Sequence, residues 1–361
     1  MRRITQLLLW ILLIGLFFCP LAKTGLLDAF KPEYRNFIYN HCADWGPNED
    51  GTDEKIYFVK QIIFEEDKKR FGNAVYFCSM NPDGSDKKEI KKIWENTKSF
   101  IDMNGNTSFM DICYKTKQAA IAFSAGHKDQ TGIWVINLDG SGFKRIVEME
   151  WRKDFQVRTN HPSWFPDGKH LVYQEKWLHK SWRSCIIKIN KDGKDKTYLS
   201  TETDGENRYP VVSPEGKKIA YTHFWFNWKA KKGQKKGGRD LWIMNPDGKD
   251  KKVLYEERHY TDYPEWSPDG KKIYFVYRSN FTLIDALSGK ELISKLIKIN
   301  GRALIPRKVH WSEKYGFLLD GAGSIGLIKT DLNTYVHLKT SGGYRKTSQK
   351  RDLSKFEYRW R

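Results

Sequence analysis

Short apolar or alternating runs recur along the chain, and each is bounded by Pro, Asp, Asn or Gly. Clear examples are residues 171–173, 219–221 and 273–275, which each follow a turn of the form Pro-(Asp/Glu)-Gly-Lys. Proline fixes φ at the second position of such a turn, and glycine accepts the positive φ that ends it. The pattern therefore predicts β-hairpins, and no amphipathic helical stretch separates them.

A second turn follows each first hairpin. It has the form Asn-x-Asp-Gly at residues 81–84, 137–140, 190–193 and 245–248, with looser copies at 285–289 and 331–333. Degenerate copies of the first turn begin at Trp45, Asp111 and Trp311. A unit of four short strands thus recurs six times. This recurrence predicts an all-β fold, a single β-propeller of six blades with four antiparallel strands in each.

Two blocks of this repeat resemble the WD40-like repeat of TolB-type propellers. They are residues 264–273 (PEWSPDGKKI) and 241–248 (LWIMNPDG), and the resemblance is sharpest between 160 and 280. It implies the propeller fold and the periplasmic location of TolB, where the propeller is a non-enzymatic scaffold that binds an envelope lipoprotein. The small α/β domain that precedes the TolB propeller is not expected here. Related propellers serve as accessory domains of peptidases and as pectate-fragment lyases.

The N-terminal residues predict export. Arg2 and Arg3 precede an apolar run at residues 7–19 that only Gly15 interrupts, and Pro20 then breaks the run. This pattern is typical of a signal peptide, and a short membrane anchor is the alternative. We therefore divide the chain into a signal peptide or anchor (1–22), an N-terminal extension (23–41), the propeller (42–340) and a basic C-terminal tail (341–361). The expected location is the periplasm or cell envelope, with membrane association through the N-terminus left open.

The charge of the chain points to anionic partners. Lys and Arg number 63 against 44 Asp and Glu, which gives a formal net charge of +19. Such a charge attracts anions over roughly a Debye length and says nothing about the fold. Export argues against nucleic acid, so an envelope protein or an anionic polysaccharide is the expected partner of a monomer.

Four cysteines follow the N-terminal segment and show no Cys-x-x-Cys spacing. Disulfides and buried free thiols both remain open from the sequence. The four are Cys42, Cys78, Cys113 and Cys185.

The loops between the second and third strands of the third and fourth blades mix aromatic and basic residues. Both kinds of turn described above lie on one face of a propeller, so these loops lie on the opposite face. Aromatic rings beside cations can stack on sugar rings and pair with anionic groups; the alternative is that the rings cap the sheet edge. The predicted binding residues are Trp177, Trp182, Arg183, Trp225, Trp228, Lys229, Lys231 and Lys232.

A polar ring is expected at the channel mouth on the same face, next to the inner strands. It resembles in position the metal-binding His cluster of the lyase relatives. Only one His falls in the ring, which is too few for a metal site, so no metal and no other cofactor is predicted. By alignment of the repeats, its residues are Asp111, His161, Tyr209, Tyr263 and Lys308, with Cys42 at the first blade.

Two functions follow from these observations. The first is a non-catalytic envelope scaffold that binds a protein or an anionic glycan through the insert-rich face. The alternative is a polysaccharide-active, lyase-like enzyme that uses the channel mouth; three His or carboxylate groups converging in the channel would favour it. No Gly-x-Ser-x-Gly or His-Glu-x-x-His motif occurs, and no catalytic residue is predicted. Residues 321–326 match a dinucleotide-binding fingerprint, but a strand follows, so we expect a hairpin there.

Overall fold

The computed structural model describes sixteen stretches of the chain. They are 34–67, 69–96, 109–123, 131–152, 155–178, 183–201, 204–226, 237–256, 261–277, 280–296, 298–299, 302–303, 308–321, 324–329, 335–338 and 345–347. The segment 1–22 that is predicted to be a signal peptide or anchor, Trp182, Trp228 and the lysines at 229, 231 and 232 lie outside these stretches. No helix of the described stretches is long and apolar enough to span a membrane.

Six antiparallel sheets follow one another along the chain, each a meander of four strands. Blade 1 consists of β1 (Tyr34–Pro47), β2 (Glu54–Glu66), β3 (Lys69–Met80) and β4 (Lys88–Asn96). Blade 2 consists of β5 (Met110–Cys113), β6 (Gln118–Phe123), β7 (Gly132–Asn137) and β8 (Lys144–Glu148). Blade 3 consists of β10 (Phe155–Trp164), β11 (His170–Leu178), β12 (Arg183–Asn190) and β13 (Thr197–Tyr198), with β9 (Glu150–Arg152) added beside β10.

The second half of the ring repeats this plan. Blade 4 consists of β14 (Glu206–Val212), β15 (Ile219–Phe226), β16 (Gly237–Met244) and β17 (Lys252–Tyr255). Blade 5 consists of β18 (Thr261–Trp266), β19 (Lys272–Tyr277), β20 (Asn280–Asp285) and β21 (Glu291–Leu296). A separate hairpin of β22 (Lys298–Ile299) and β23 (Arg302–Ala303) precedes blade 6, which consists of β24 (Lys308–Ser312), β25 (Gly316–Gly321), β26 (Ser324–Ile328) and β27 (Tyr335–Leu338). The short strand β28 (Arg345–Thr347) pairs with β1.

The predicted fold is confirmed. The first strands of successive blades contact one another, and the contact of β1 with β24 closes the ring. The fingerprint at 321–326 is a hairpin as expected, with Gly321 and Ser324 as register partners.

The core lies between the blades, because each blade packs its flat face on the next. Val59 and Phe77 of blade 1, for example, pack against Ile121 and Ile136 of blade 2. Five further apolar clusters fill the other junctions, including the one between blades 6 and 1. Each fully buried large side chain contributes about 1.5–3 kcal/mol to folding.

The four strands of each blade come from one continuous stretch of chain, so side-chain contacts join the four strands of blade 6 to those of blade 1. Trp45 of blade 1 donates its indole N–H to the carbonyl of His310 in blade 6 at 3.2 Å and stacks on Tyr315 at 5.4 Å between centroids. The Tyr315 hydroxyl and the Lys314 ammonium both donate to Asp53. This junction therefore has the same kind of packing as the others.

Strand β1 begins at Tyr34, within the segment assigned to the N-terminal extension. Its first part is held in the sheet because Ile38 packs with Ile62 and Phe64 of β2. Strand β28, from the basic tail, adds to the other edge of residues 34–36. The four cysteines, for which the sequence left two possibilities, are all buried thiols outside any disulfide.

The turn glycines fit against the preceding blade. Gly289 follows β20 with φ of +71°, and a Cβ there would lie 2.0 Å from the carbonyl oxygen of Leu254 in blade 4. Gly51 has a similar φ of +79° but has open space around it.

Candidate functional site: the central channel

The channel has two different ends. The turns within hairpins lie at one end, which we call the turn face. The strand ends from which the chain leaves each second strand and each blade lie at the other end, which we call the loop face. A cavity of about 500 Å³ occupies the channel at the turn face and is lined by the ends of the inner strands of all six blades.

One position on each inner strand forms an upper ring around this cavity. From blade 1 to blade 6 the residues are Asp44, Asp111, Ser163, Val211, Glu265 and His310. Three of them link neighbouring blades. Asp44 accepts a hydrogen bond from the backbone N–H of Ile112 at 2.9 Å, Asp111 from Trp164 at 2.6 Å and Ser163 from Val212 at 3.1 Å.

Three members of the upper ring converge. The Nδ1 atom of His310 lies 2.6 Å from Oδ1 of Asp44. Asp111 joins this pair so that one ligand atom from each residue lies within 4.8 Å of the others. Glu265 lines the same cavity. Of this cluster only Asp111 was singled out by sequence reasoning, because the three members come from blades 1, 2 and 6 and no short motif contains them.

Burial governs the protonation of this cluster. Loss of solvent raises the pKa of Asp44 to about 7 and that of Asp111 to about 6, while the Lys308 ammonium acts in the opposite direction on both. Burial also raises the pKa of Glu265 well above its usual value and lowers that of His310 well below 6.5. His310 is therefore a neutral imidazole near pH 7.

A lower ring closes the channel towards the loop face. Cys42, His161, Tyr209 and Tyr263 share a left-handed backbone conformation, with φ between 52° and 58°, at a β-bulge. Proline follows three of these residues, and a bulge tolerates its missing N–H. The bulge turns the side chains into the channel.

Aromatic rings fill the lower ring. The His161 ring centroid lies 3.5 Å from that of Phe109 and 4.6 Å from that of Tyr209, and Tyr209 lies 4.4 Å from Tyr263. A cavity of only about 20 Å³ remains at this level.

The structure places four of the five predicted channel-mouth residues in this lower ring: His161, Tyr209, Tyr263 and Lys308. They lie within the channel rather than at its mouth on the loop face, and the larger cavity opens at the turn face. Asp111 belongs to the upper ring, and Phe109 takes its expected place beside His161. The alignment was displaced by two residues, because blade 2 lacks the Pro and Trp of the repeat. Lys308 donates to the carbonyl of Met110 at 2.7 Å.

Three of the predicted aromatic and basic loop residues are described. Arg183 is exposed, and Trp177 and Trp225 are half-buried at the ends of β11 and β15. Trp225 donates its indole N–H to Asp240 at 2.7 Å and covers Gly238. This Trp therefore caps the sheet edge and leaves part of its ring exposed.

A basic cluster lies beside these residues at the loop-face ends of blades 3 and 4. It consists of Arg158, Lys176, Arg208 and Arg239. Burial and the three guanidinium groups lower the pKa of Lys176 to about 8. Arg208 and Arg239 lie over the ring of Phe224 at 4.1 and 4.2 Å from its centroid.

Six four-stranded sheets around a polar channel define the class of this protein, a six-bladed β-propeller. No family model matches the sequence. A search of curated proteins finds no similar sequence either.

Solved structures are similar in fold. TolB from Acinetobacter baumannii is 14% identical, with a TM-score of 0.50 over 87% of this chain and 65% of that chain. A chain of a nidogen/laminin complex is 11% identical, with a TM-score of 0.51 over 84% of this chain and 92% of that one. A putative TolB from Agrobacterium tumefaciens is 16% identical, with a TM-score of 0.42 over 85% of this chain and 88% of that chain. The protein thus has a β-propeller fold similar to that of TolB, as the repeat predicted.

Proposed function

We propose that this protein is an exported, non-catalytic propeller that binds an anionic partner, an envelope protein or an anionic glycan, through its loop face. The observation that carries the proposal is the basic cluster, in which one lysine is surrounded by three arginines. The apolar run at residues 7–19 and the net charge of +19 support export and an anionic partner.

The cluster places four cations close together. Arg158 and Lys176 are register partners on β10 and β11, and like charges directly opposite one another destabilise a sheet. Glu206 pairs with Arg208 and Asp262 with Arg239. An anionic group from a partner would further reduce the repulsion between these closely spaced cations.

The arginines are also preorganised for such a group. Stacking on Phe224 limits the orientations of Arg208 and Arg239. The Nε and Nη2 atoms of Arg208 already donate to Glu206, so a carboxylate or sulfate of a partner would pair with the remaining N–H groups of the guanidinium. Trp177 and Trp225 beside the cluster offer apolar surface to a sugar ring or a side chain.

The test compares binding of polygalacturonate, of polyglutamate and of a neutral polysaccharide by calorimetry. We expect the double variant R158Q/K176Q to bind the preferred polyanion about tenfold or more weakly, a loss of about 1.4 kcal/mol or more. The control is Lys249→Gln, which removes an exposed cation on the turn face. The proposal is rejected if R158Q/K176Q and Lys249→Gln lose the same amount of affinity, or if the parent protein binds neither polyanion. Replacing Trp177, Trp182, Trp225 and Trp228 by Ala tests the contribution of the aromatic rings in the same assay.

A polysaccharide-active enzyme is the second candidate. The convergence of Asp44, Asp111 and His310 beside the 500 Å³ cavity favours it. Against it, Asp44 and Asp111 already hold the backbone of the next blade. Ultraviolet absorbance of the unsaturated product would reveal lyase cleavage of polygalacturonate, and activity that His310→Gln abolishes would establish the enzyme.

A further inference from the structure

The acids that line the cavity at the turn face outnumber its basic residues. The four acids are Asp44, Glu54, Asp111 and Glu265. Lys115 is the one lysine or arginine among the lining residues in the described part of the chain. Glu54 is satisfied within the protein, because it accepts hydrogen bonds from the hydroxyl groups of Tyr114 and Ser312. The excess of acids favours a positively charged ligand in this cavity.

Glu265 has the fewest partners of the four acids. Its Oε2 atom is buried, and neither of its carboxyl oxygens accepts a hydrogen bond within the stretches that the structure describes. Asp111 accepts one such bond, from the backbone N–H of Trp164 at 2.6 Å. A buried acceptor without a donor destabilises the fold, so Glu265 is placed to accept a hydrogen bond from a ligand.

Glu265 and Asp111 lie on opposite sides of the channel. Both belong to the upper ring, and their inner strands come from blades 5 and 2, which are three blades apart in the ring of six. The two carboxyl groups are close enough for the charge of Asp111 to act on Glu265. A cationic group on the channel axis would therefore lie between two acids.

The basic residue that acts on these two acids is engaged elsewhere. Lys308 donates to the carbonyl of Met110 at 2.7 Å, and within the described stretches it forms no ion pair with either acid. Without a close counter-charge, burial raises the pKa of Asp111 to about 6 and that of Glu265 well above its usual value. A bound cation favours the ionised carboxylates, so it would take the place of their protons.

Other groups of the cavity wall suit a guanidinium ion in particular. The side chain of His310 is only 6% exposed, and its Nε2 atom has no hydrogen-bond partner among the described residues. Both oxygens of Asp44 already accept backbone N–H groups, so Asp44 accepts the Nδ1 proton of His310 and leaves Nε2 as an acceptor. A guanidinium carries five N–H donors, whereas an ammonium carries three. Its flat face also stacks on indole rings, and Trp266 and Trp311 line the cavity.

We infer that the turn-face cavity binds one organic cation through a guanidinium group placed between Asp111 and Glu265. The cation is either a small molecule or the arginine side chain of a peptide, since both carry the group that these acids recognise. The site lies at the opposite end of the channel from the basic cluster and takes the opposite charge, so each can be tested without the other.

The experiment titrates the purified protein with butylguanidinium and with butylurea, its uncharged counterpart of similar shape, by calorimetry at pH 8. Salt at 0.15 M limits the reach of the net charge of +19 to about 8 Å. We expect one equivalent of butylguanidinium to bind about tenfold or more tightly than butylurea. A capped tripeptide with arginine at its centre identifies the source: tighter binding than that of butylguanidinium indicates a peptide, and weaker binding indicates a small molecule.

Two substitutions remove the acids and keep their shape. Glu265→Gln and Asp111→Asn should each weaken butylguanidinium binding about tenfold, because hydrogen bonds to an ionised group are roughly twice as strong as neutral ones. Asp111→Asn keeps a side-chain oxygen that can accept from the Trp164 backbone. The matched control is Glu215→Gln, which removes an exposed acid of the turn face outside the cavity and should leave binding unchanged.

Circular dichroism verifies that each variant is folded. The inference is overturned if the parent protein binds butylurea as tightly as butylguanidinium, or if folded Glu265→Gln and Asp111→Asn both keep the affinity of the parent. It is also overturned if Glu215→Gln weakens binding as much as Glu265→Gln does, because the cation would then respond only to the overall charge.

Discussion

His161 is a histidine in a position that aromatic residues occupy in neighbouring blades. Tyr209 and Tyr263 hold the same bulge position, and Phe109 contacts the His161 ring from blade 2. Burial, together with the positive charge of Lys308, lowers the pKa of His161 well below 6.5. The residue therefore packs as a neutral aromatic ring, and its basic nitrogen gives folding a dependence on pH.

We predict that His161→Phe reduces the loss of stability in acid. In the parent, the unfolded chain binds a proton near pH 6.5 while the buried ring stays neutral, so stability is lost as pH falls below 6.5. Between pH 7 and 5 this single group costs about 2 kcal/mol of unfolding free energy. Urea unfolding of both proteins at these two pH values should show a smaller decrease for the variant. If the free energy of unfolding falls equally with pH in both proteins, His161 is not the neutral buried group that causes the loss of stability.

Single residues also show which members of the lower ring could not be predicted from the sequence. The repeat predicted that His161, Tyr209 and Tyr263 share one position, because Pro follows each of them. In blade 2 no Pro or Trp marks the register, so Asp111 could not be distinguished from Phe109 as the ring member. A displacement of two residues keeps the same side of the strand, and hydrophobic alternation alone does not detect it.

At the scale of the element, the turns carry the information that made the fold predictable. Pro and Gly restrict the backbone locally, so a hairpin can be read from a few residues without knowledge of its neighbours. The structure adds a second reason for glycine in the turns between third and fourth strands. Gly289 has no room for a Cβ because the backbone of blade 4 lies against it.

We predict that Gly289→Ala destabilises the protein more than Gly51→Ala does. Both substitutions place alanine at a positive φ, which costs about 1–2 kcal/mol. Only Gly289 adds a collision with the Leu254 carbonyl; Gly51 has open space. The melting temperature, or the free energy of unfolding in denaturant, should therefore be clearly lower for Gly289→Ala than for Gly51→Ala. Equal effects would mean that the turn conformation alone selects glycine at 289.

At the scale of the whole molecule, the ring brings together residues that no local pattern relates. Asp44 and His310 belong to the first and last blades, and they become neighbours only because the ring closes. The loop-face cluster similarly draws Arg158, Arg208 and Arg239 from two blades. The fold could be predicted because its turns repeat along the chain. The residues of the upper ring could not be predicted, because the residue type at that position differs from blade to blade.

We predict that the junction between blades 6 and 1 is as strong as an internal one. Trp45 spans it with a 3.2 Å hydrogen bond to His310, and Trp266 spans the junction of blades 4 and 5 with a 3.2 Å bond to Val211. Both are nearly fully buried. Replacing either with Ala should cost about 3–5 kcal/mol in equilibrium unfolding. If Trp45→Ala lowers the free energy of unfolding much less than Trp266→Ala does, the junction between blades 6 and 1 is weaker than an internal one.

The pairing of β1 with β28 has a consequence for the order in which the chain can be made. Tyr34 and Thr347 are register partners on antiparallel strands, so in a chain without residues 1–33 and 348–361 a two-residue hairpin linker would join them covalently. Because the four strands of each blade are continuous in sequence, a circularly permuted gene with this linker that starts between two blades would encode the same contacts between blades. Ribosomal synthesis could then begin with a different blade, and the ring would still reach one native state.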